Sequence, residues 1–130
     1  MCYCTNLRRS AHAISAFYDE RLKASGITAS QYYLLINLSR MGSANITHWA
    51  TCVGLDRSTM ARNIKPLEAQ MLLERTSGRG KTYKLSDKGF ETLKVAVPLW
   101  EDAQTDIERF LGDRDAEAIL RIGQNLQYLK

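Results

Sequence analysis

The stretch Asp56 to Leu73, reading D-R-S-T-M-A-R-N-I-K-P-L-E-A-Q-M-L-L, constrains this chain more than any other. Asp56 has the side chain of a strong N-cap, a short carboxylate that accepts hydrogen bonds from the free amides of a first helical turn. Behind it Met60, Ile64, Leu67 and Met71 recur with helical period, so this helix should bury one face. Ser58, Arg62, Lys65 and Ala69 fall on the opposite side, with Thr59 beside them. That outward face carries hydroxyls and cations and no carboxylate. Two readings fit it. One is a solvated amphipathic helix; the other is a recognition helix, held by its stripe and offering short donors and arginine to a DNA groove. Pro66 removes one amide and leaves the Arg62 carbonyl free, at about 3 kcal/mol in an ordinary helix interior, so the helix should bend or end nearby.

The flanking segments favour the second reading. Residues 5–24 read as a helix with Leu7, Ala11, Ile14, Phe17 or Tyr18, and Leu22 along one face, ended by Gly26. Thr28-Ala29-Ser30-Gln31 has capping-box spacing. The helix it opens should bury Leu34, Leu35, Leu38 and Met41 before Gly42 stops it. A short helix fits 47–53, with Ile46, Trp49 or Ala50, and Val53 turned inward. Gly54-Leu55 is then a tight connection into Asp56, and two helices joined by such a glycine-containing turn form the helix-turn-helix plan.

Leu72–Thr76 and Lys81–Leu85 flank Ser77-Gly78-Arg79-Gly80, which reads as a β-hairpin with an arginine at its tip, a plain surface loop being the alternative. A hairpin directly after a helix-turn-helix is the winged form, and a basic tip suits a phosphate or minor-groove contact. Ser86 caps a long helix to about Leu111, whose positions Phe90, Leu93, Val97, Trp100, Gln104, Ile107 and Leu111 step alternately by three and four. That spacing belongs to a helix lying lengthwise on another. Pro98 should kink it. Asp113 caps a last helix, with Ile119, Ile122, Leu126 and Leu129 expected inward.

Charge is distributed unevenly. Residues 46–85 hold seven Lys/Arg against three Asp/Glu, whereas 86–130 hold six against nine. A cationic centre faces a polyanion, and the acidic C-terminal part has another job. No apolar run approaches the roughly 18 residues of a membrane helix, and no signal peptide is recognisable. The 3 cysteines exclude a complete internal disulfide framework and make a reducing cytoplasm the default compartment.

The fold expected is mainly α with a small β-hairpin: one domain over 1–130, with a winged helix-turn-helix unit at 28–85 and dimerisation helices at 1–27 and 86–130. The end helices carry more apolar face than the winged unit can cover, and a second copy related by a two-fold axis is its simplest cover. A dimer also doubles the recognition helix, matching a palindromic site.

The order of elements resembles the MarR family of bacterial transcription regulators over nearly the whole chain. Leu55-Asp56-Arg57-Ser58-Thr59 through Arg62-Asn63 to Lys65-Pro66-Leu67-Glu68 is similar to that family's recognition-helix signature. Leu85-Ser86-Asp87-Lys88-Gly89 is similar to its mark after the wing. Pro98-Leu99-Trp100, Ala103-Gln104 and the opening Cys2-Tyr3-Cys4 with Leu7-Arg8-Arg9 are similar to one subgroup. The resemblance implies a homodimeric repressor relieved by a small ligand or by thiol oxidation. The family's wing usually carries an aspartate-arginine pair that braces it, and this shorter loop lacks the aspartate.

The expected DNA-facing set is Arg57, Ser58, Thr59, Arg62, Asn63 and Lys65 on the helix, with Arg75, Arg79 and Lys81 on the wing. Ser58, Thr59 and Arg62 should meet base edges, Arg57, Asn63 and Lys65 should mainly hold phosphates, and Arg79 should enter a minor groove beside the half-site. An aromatic acid inducer would be clamped by Arg8, Arg9 and His12 and walled by Tyr32, Tyr33 and Trp49. The rival trigger is oxidation of Cys2 or Cys4, too close to bridge each other without strain but able to pair across a dimer. His48 and Cys52, four apart on one face, lack an orienting carboxylate and a third ligand. No catalytic motif, cofactor fingerprint or metal-ligand set appears. A winged protein-binding adaptor and a small thiol or metal enzyme are the remaining alternatives.

Overall fold

A computed structural model describes residues 1–76 and 80–130. Helix α1 (Tyr3–Leu22) passes through a single 3₁₀ turn, Lys23–Ser25, and ends at Gly26 in the left-handed region at φ 79°. Helix α2 (Ala29–Met41) opens on the full capping box: Thr28 accepts from the Gln31 amide, and the Gln31 side chain accepts from the Thr28 amide. A second tie fixes this end, because Asp19 of α1 accepts from the Ala29 amide at 2.7 Å. Helix α3 (Ile46–Val53) is capped by Asn45, closes on Gly54 at φ 76°, and leads through Leu55 to α4 (Arg57–Ala69). The helix-turn-helix spacing is as expected.

Between α2 and α3 lies a strand absent from the sequence reading, β1 (Ala44–Asn45). It pairs antiparallel with β3 (Thr82–Leu85), which pairs in turn with β2 (Leu73–Thr76), so the sheet order is β1-β3-β2. Thr76 opposes Thr82, placing Lys81 in the connection rather than in the strand. Residues 77–79, including Arg79, lie outside the described residues. Helix α5 (Asp87–Leu111) runs as one element with Pro98 inside it, and α6 (Asp113–Leu126) follows Gly112.

The stripe on α4 is buried through Met60, Ile64 and Leu67, but Met71 does not continue it. The helix closes in a Schellman arrangement: the Met71 amide bonds to the Glu68 carbonyl at 2.9 Å and the Leu72 amide to the Leu67 carbonyl at 3.0 Å. Met71 takes the left-handed position at φ 62° and is 71% exposed. Leu72 goes under in its place, fully buried beside Leu67. The reversal comes one turn after Pro66, so the expectation that the helix ends near this proline holds and the expectation of an inward Met71 does not.

The core gathers Leu34, Leu35 and Leu38 of α2, Trp49, Ala50 and Val53 of α3, the α4 stripe, and Tyr83 and Leu85 of β3. Leu22, Leu93 and Ala96 join the same cluster from α1 and α5, so those helices are packed on the winged unit. Two features lock the seam. Trp100 of α5 stacks between Tyr18 of α1, centroids 6.4 Å apart, and Tyr32 of α2, at 5.5 Å. Gly89 lies so close to the Leu72 carbonyl that a Cβ there would sit 2.3 Å from its oxygen.

The stripe expected on the C-terminal helix is largely exposed. Ile119, Ile122 and Leu126 are 41–50% exposed, and Leu129, past the helix end, is 78% exposed. Among the described residues nothing covers them, because α6 buries no residue there.

Candidate nucleic-acid interface

The exposed face of α4 is built outward from its cap. Asp56 accepts three hydrogen bonds: from the Thr59 amide at 2.7 Å, the Ser58 hydroxyl at 2.8 Å and the Thr59 hydroxyl at 3.0 Å. These donors, the Thr59 amide foremost, hold its carboxyl down to about 2, so it is an anion under any ordinary condition. Arg62 donates from Nη2 to the Thr59 hydroxyl at 3.3 Å, and Asn63 turns its amide back onto the Thr59 carbonyl at 3.0 Å. Arg57, Ser58, Arg62 and Lys65 are exposed, while Thr59 and Asn63 are half-buried. Among the described residues none of Arg57, Arg62 and Lys65 forms an ion pair. Six residues expected on this helix therefore sit together, with three unneutralised guanidinium or ammonium groups over about three turns.

The wing divides its cations. Lys81 is exposed beside the undescribed tip. Lys84 pairs across the hairpin with Glu74 at 3.6 Å. Arg75 is committed elsewhere: its guanidinium meets Glu68 of α4 at 2.8 Å from Nη2 and 2.9 Å from Nε, and lies 5.7 Å from the Tyr83 ring centroid. Arg75, expected among the DNA-facing residues, has its fork engaged by a carboxylate within the chain. It supplies the brace that the short loop lacks, drawing the acid from the recognition helix instead.

The expected inducer residues do not converge within one chain. Trp49 is fully buried, its indole donating to the Leu34 carbonyl at 3.1 Å and its ring packed 5.9 Å from Tyr83, so it is a core residue and no cleft wall. Tyr32 and Tyr33, about 100° apart around α2, meet different surroundings. Tyr32 is buried under Trp100, and burial pushes its hydroxyl up, with Arg40 opposing and Glu101 adding. Tyr33 is exposed and lines a shallow hollow of about 180 Å³ with Ser30, Leu34, Val53, Leu55 and Asn63. Arg8, Arg9 and His12 are exposed along the first half of α1. Sequence reasoning missed the ties across α1 and α5, where Tyr18 donates to Gln104 and Arg21 pairs with Asp106. Gln104, a polar residue in an apolar register, was their one visible signal.

Cys2, Cys4 and Cys52 are all exposed thiols. Cys2 precedes α1, and the Thr5 amide lowers its thiol below the ordinary value without closing a capping bond. No helix among the described residues is long and apolar enough to cross a membrane.

No protein-family model and no curated protein matches the sequence. Solved structures do. A transcriptional regulator of M. tuberculosis, MosR, solved in complex with DNA, is 30% identical, with 98% of this chain and 97% of that one covered at a TM-score of 0.84. A second MosR structure is 32% identical over 97% and 96% of the two chains, at 0.78. The transcriptional repressor CouR bound to p-coumaroyl-CoA superposes at 0.88 over 99% and 94%, at 22% identity. The oxidized form of MarR from E. coli superposes at 0.75 over 98% and 95%, at 16% identity. The last two show the shared fold; MosR adds identity over nearly the full length, and with it the chain belongs to the MarR family of transcription regulators.

Proposed function

We propose that this chain is a cytoplasmic, homodimeric repressor that binds a palindromic operator through α4 and is released by a small aromatic acid. The observation that carries the DNA reading is the α4 face: Arg57, Arg62 and Lys65 are exposed and unpaired among the described residues, the carboxylate of Asp56 is consumed by its own cap, and that of Glu68 is held by Arg75. The MosR structure in complex with DNA supports it. Arg62 reads a base edge, Arg57 and Lys65 hold phosphates, and Lys81 reaches the flanking backbone. Replacing Arg62 by alanine is expected to cost about 1–3 kcal/mol per half-site on the selected operator and little on random DNA. Fluorescence anisotropy on both duplexes checks this, and equal losses would remove Arg62 from base readout.

Release requires the inducer to prefer, by a few kcal/mol, a spacing of the two α4 helices that no longer fits adjacent grooves. Arg8, Arg9 and His12 clamp its carboxylate next to the partner protomer, and Tyr32 couples the site to α5 through Trp100. CouR bound to p-coumaroyl-CoA supports an aromatic acid derivative as the chemistry. The exposed, lowered Cys2 thiol favours a second reading, oxidation of Cys2 or Cys4. The triggers separate cleanly. Under ligand control, serine at positions 2 and 4 leaves release intact and Arg9→Ala abolishes it. Under thiol control the serine variant stays on DNA in peroxide.

A further inference from the structure

We infer that Asp56 sets the hydrogen-bond polarity of the α4 reading end, so that Ser58 meets the groove as an acceptor and selects a base with an amino donor. This rests on the proposal that α4 reads DNA. A carboxylate only accepts, so each hydroxyl bonded to Asp56 must be the donor. Ser58 spends its single hydrogen on Asp56 at 2.8 Å, and Thr59 spends its own at 3.0 Å. What Ser58 then presents outward, from an exposed position, is lone pairs alone. A free serine reads either kind of base edge, whereas this one is restricted to adenine N6 or cytosine N4. Guanine O6 and thymine O4 meet it lone pair to lone pair.

Thr59 has a different place in the set. It donates to Asp56 and accepts from Arg62 Nη2 at 3.3 Å, which leaves it one lone pair and a half-buried position. It is a positioning residue for the Arg62 guanidinium rather than a reader. The first turns of α4 therefore offer an acceptor at residue 58 and a donor fork at residue 62, both oriented through the same carboxylate.

The test uses the full chain. A selection from randomised duplexes gives the half-site, and anisotropy on single-base variants then compares wild type, Ser58→Ala, Asp56→Gly and Asp56→Asn. Wild type should favour adenine or cytosine over guanine and thymine by about 3- to 10-fold at one position, the value of one hydrogen bond. Ser58→Ala should abolish that preference. Asp56→Gly, a tolerated cap that removes the side-chain acceptor, should flatten it by freeing the serine hydrogen. Asp56→Asn keeps an oxygen for the Thr59 amide and Ser58, and should retain it. A Ser58-dependent preference for guanine or thymine overturns the inference, as does a preference that Asp56→Gly leaves intact. Should Asp56→Gly lose its helical circular dichroism, the base dependence of wild type against Ser58→Ala decides alone. A wild-type chain with no base preference at any position overturns the DNA-reading proposal itself.

Discussion

Met71 and Gly89 sit on either side of one junction and carry opposite backbone demands. Met71 holds φ at 62°, a region that costs an L-residue about 1–2 kcal/mol, and its side chain is mostly in solvent. Glycine there removes the strain and loses no burial, though it adds about 0.5–1 kcal/mol of unfolded-state entropy. Met71→Gly is therefore expected to be neutral or to stabilise by up to about 1 kcal/mol. Gly89 is the reverse case. Its missing Cβ is what lets α5 rest on the Leu72 carbonyl, and that carbonyl is pinned by the Ser86 amide at 3.0 Å. The Ser86 hydroxyl ties the same corner to the Met71 carbonyl at 2.7 Å. Gly89→Ala must push one backbone off another and should cost about 1–3 kcal/mol despite alanine's better helix propensity. Thermal unfolding of the two variants, side by side, is the measurement; a Gly89→Ala protein as stable as wild type would mean that α5 can slide on this corner at no cost.

Arg75 and Glu68 tie the wing to the recognition helix, and the two roles open to Arg75 differ in how DNA binding depends on salt. A half-exposed pair of this kind contributes about 0–1 kcal/mol to stability, so its importance lies in where it holds the hairpin. Each phosphate neutralised adds about one to the slope of log affinity against log salt. As a brace, Arg75 neutralises none: Arg75→Ala should leave the slope unchanged, while Glu68→Gln frees the guanidinium and should steepen it by about one per subunit. A slope that falls in Arg75→Ala would return this residue to the phosphate contacts. The capping residues Thr28, Asp56 and Ser86, the glycine turn at 54 and the buried part of the α4 stripe were all legible in the sequence, because each is a local rule. Arg75 was not, since its partner is 7 residues away across a reversal that periodicity does not show. Strand β1 is 2 residues long and has no pattern to read. Trp49 shows the opposite limit: an aromatic residue on an apolar face reads equally as wall or core, and only the hydrogen bond to Leu34 decides.

At the scale of the whole molecule, the described chain leaves its two ends unfinished. Helix α6 buries nothing, α1 buries only Leu22, and Phe110 at the far end of α5 is almost wholly exposed. The stripes of α1 and α6 were expected to find their cover in a second copy of the chain, and within the described residues they find little. The heptad-like spacing of α5 gave the direction of packing without saying which copy supplies the other helix. A second protomer with two-fold symmetry would set the α6 stripes against each other or against α1, and would fix the distance between the two α4 helices. The pair Ile122→Asp and Leu126→Asp tests this without touching the reading head, since no residue of α6 belongs to the core cluster. The double variant is expected to sediment at the mass of one chain and to keep the helical signal of the remainder. Its two former half-site contacts become separate binding events, so operator affinity should fall by about 10²–10⁴ as the effective concentration of the second head is lost. Binding to a single half-site should be nearly unchanged. A variant that still sediments as a pair would move the interface off α6, and a monomer that holds the full operator as tightly as wild type would show that the two heads never acted together.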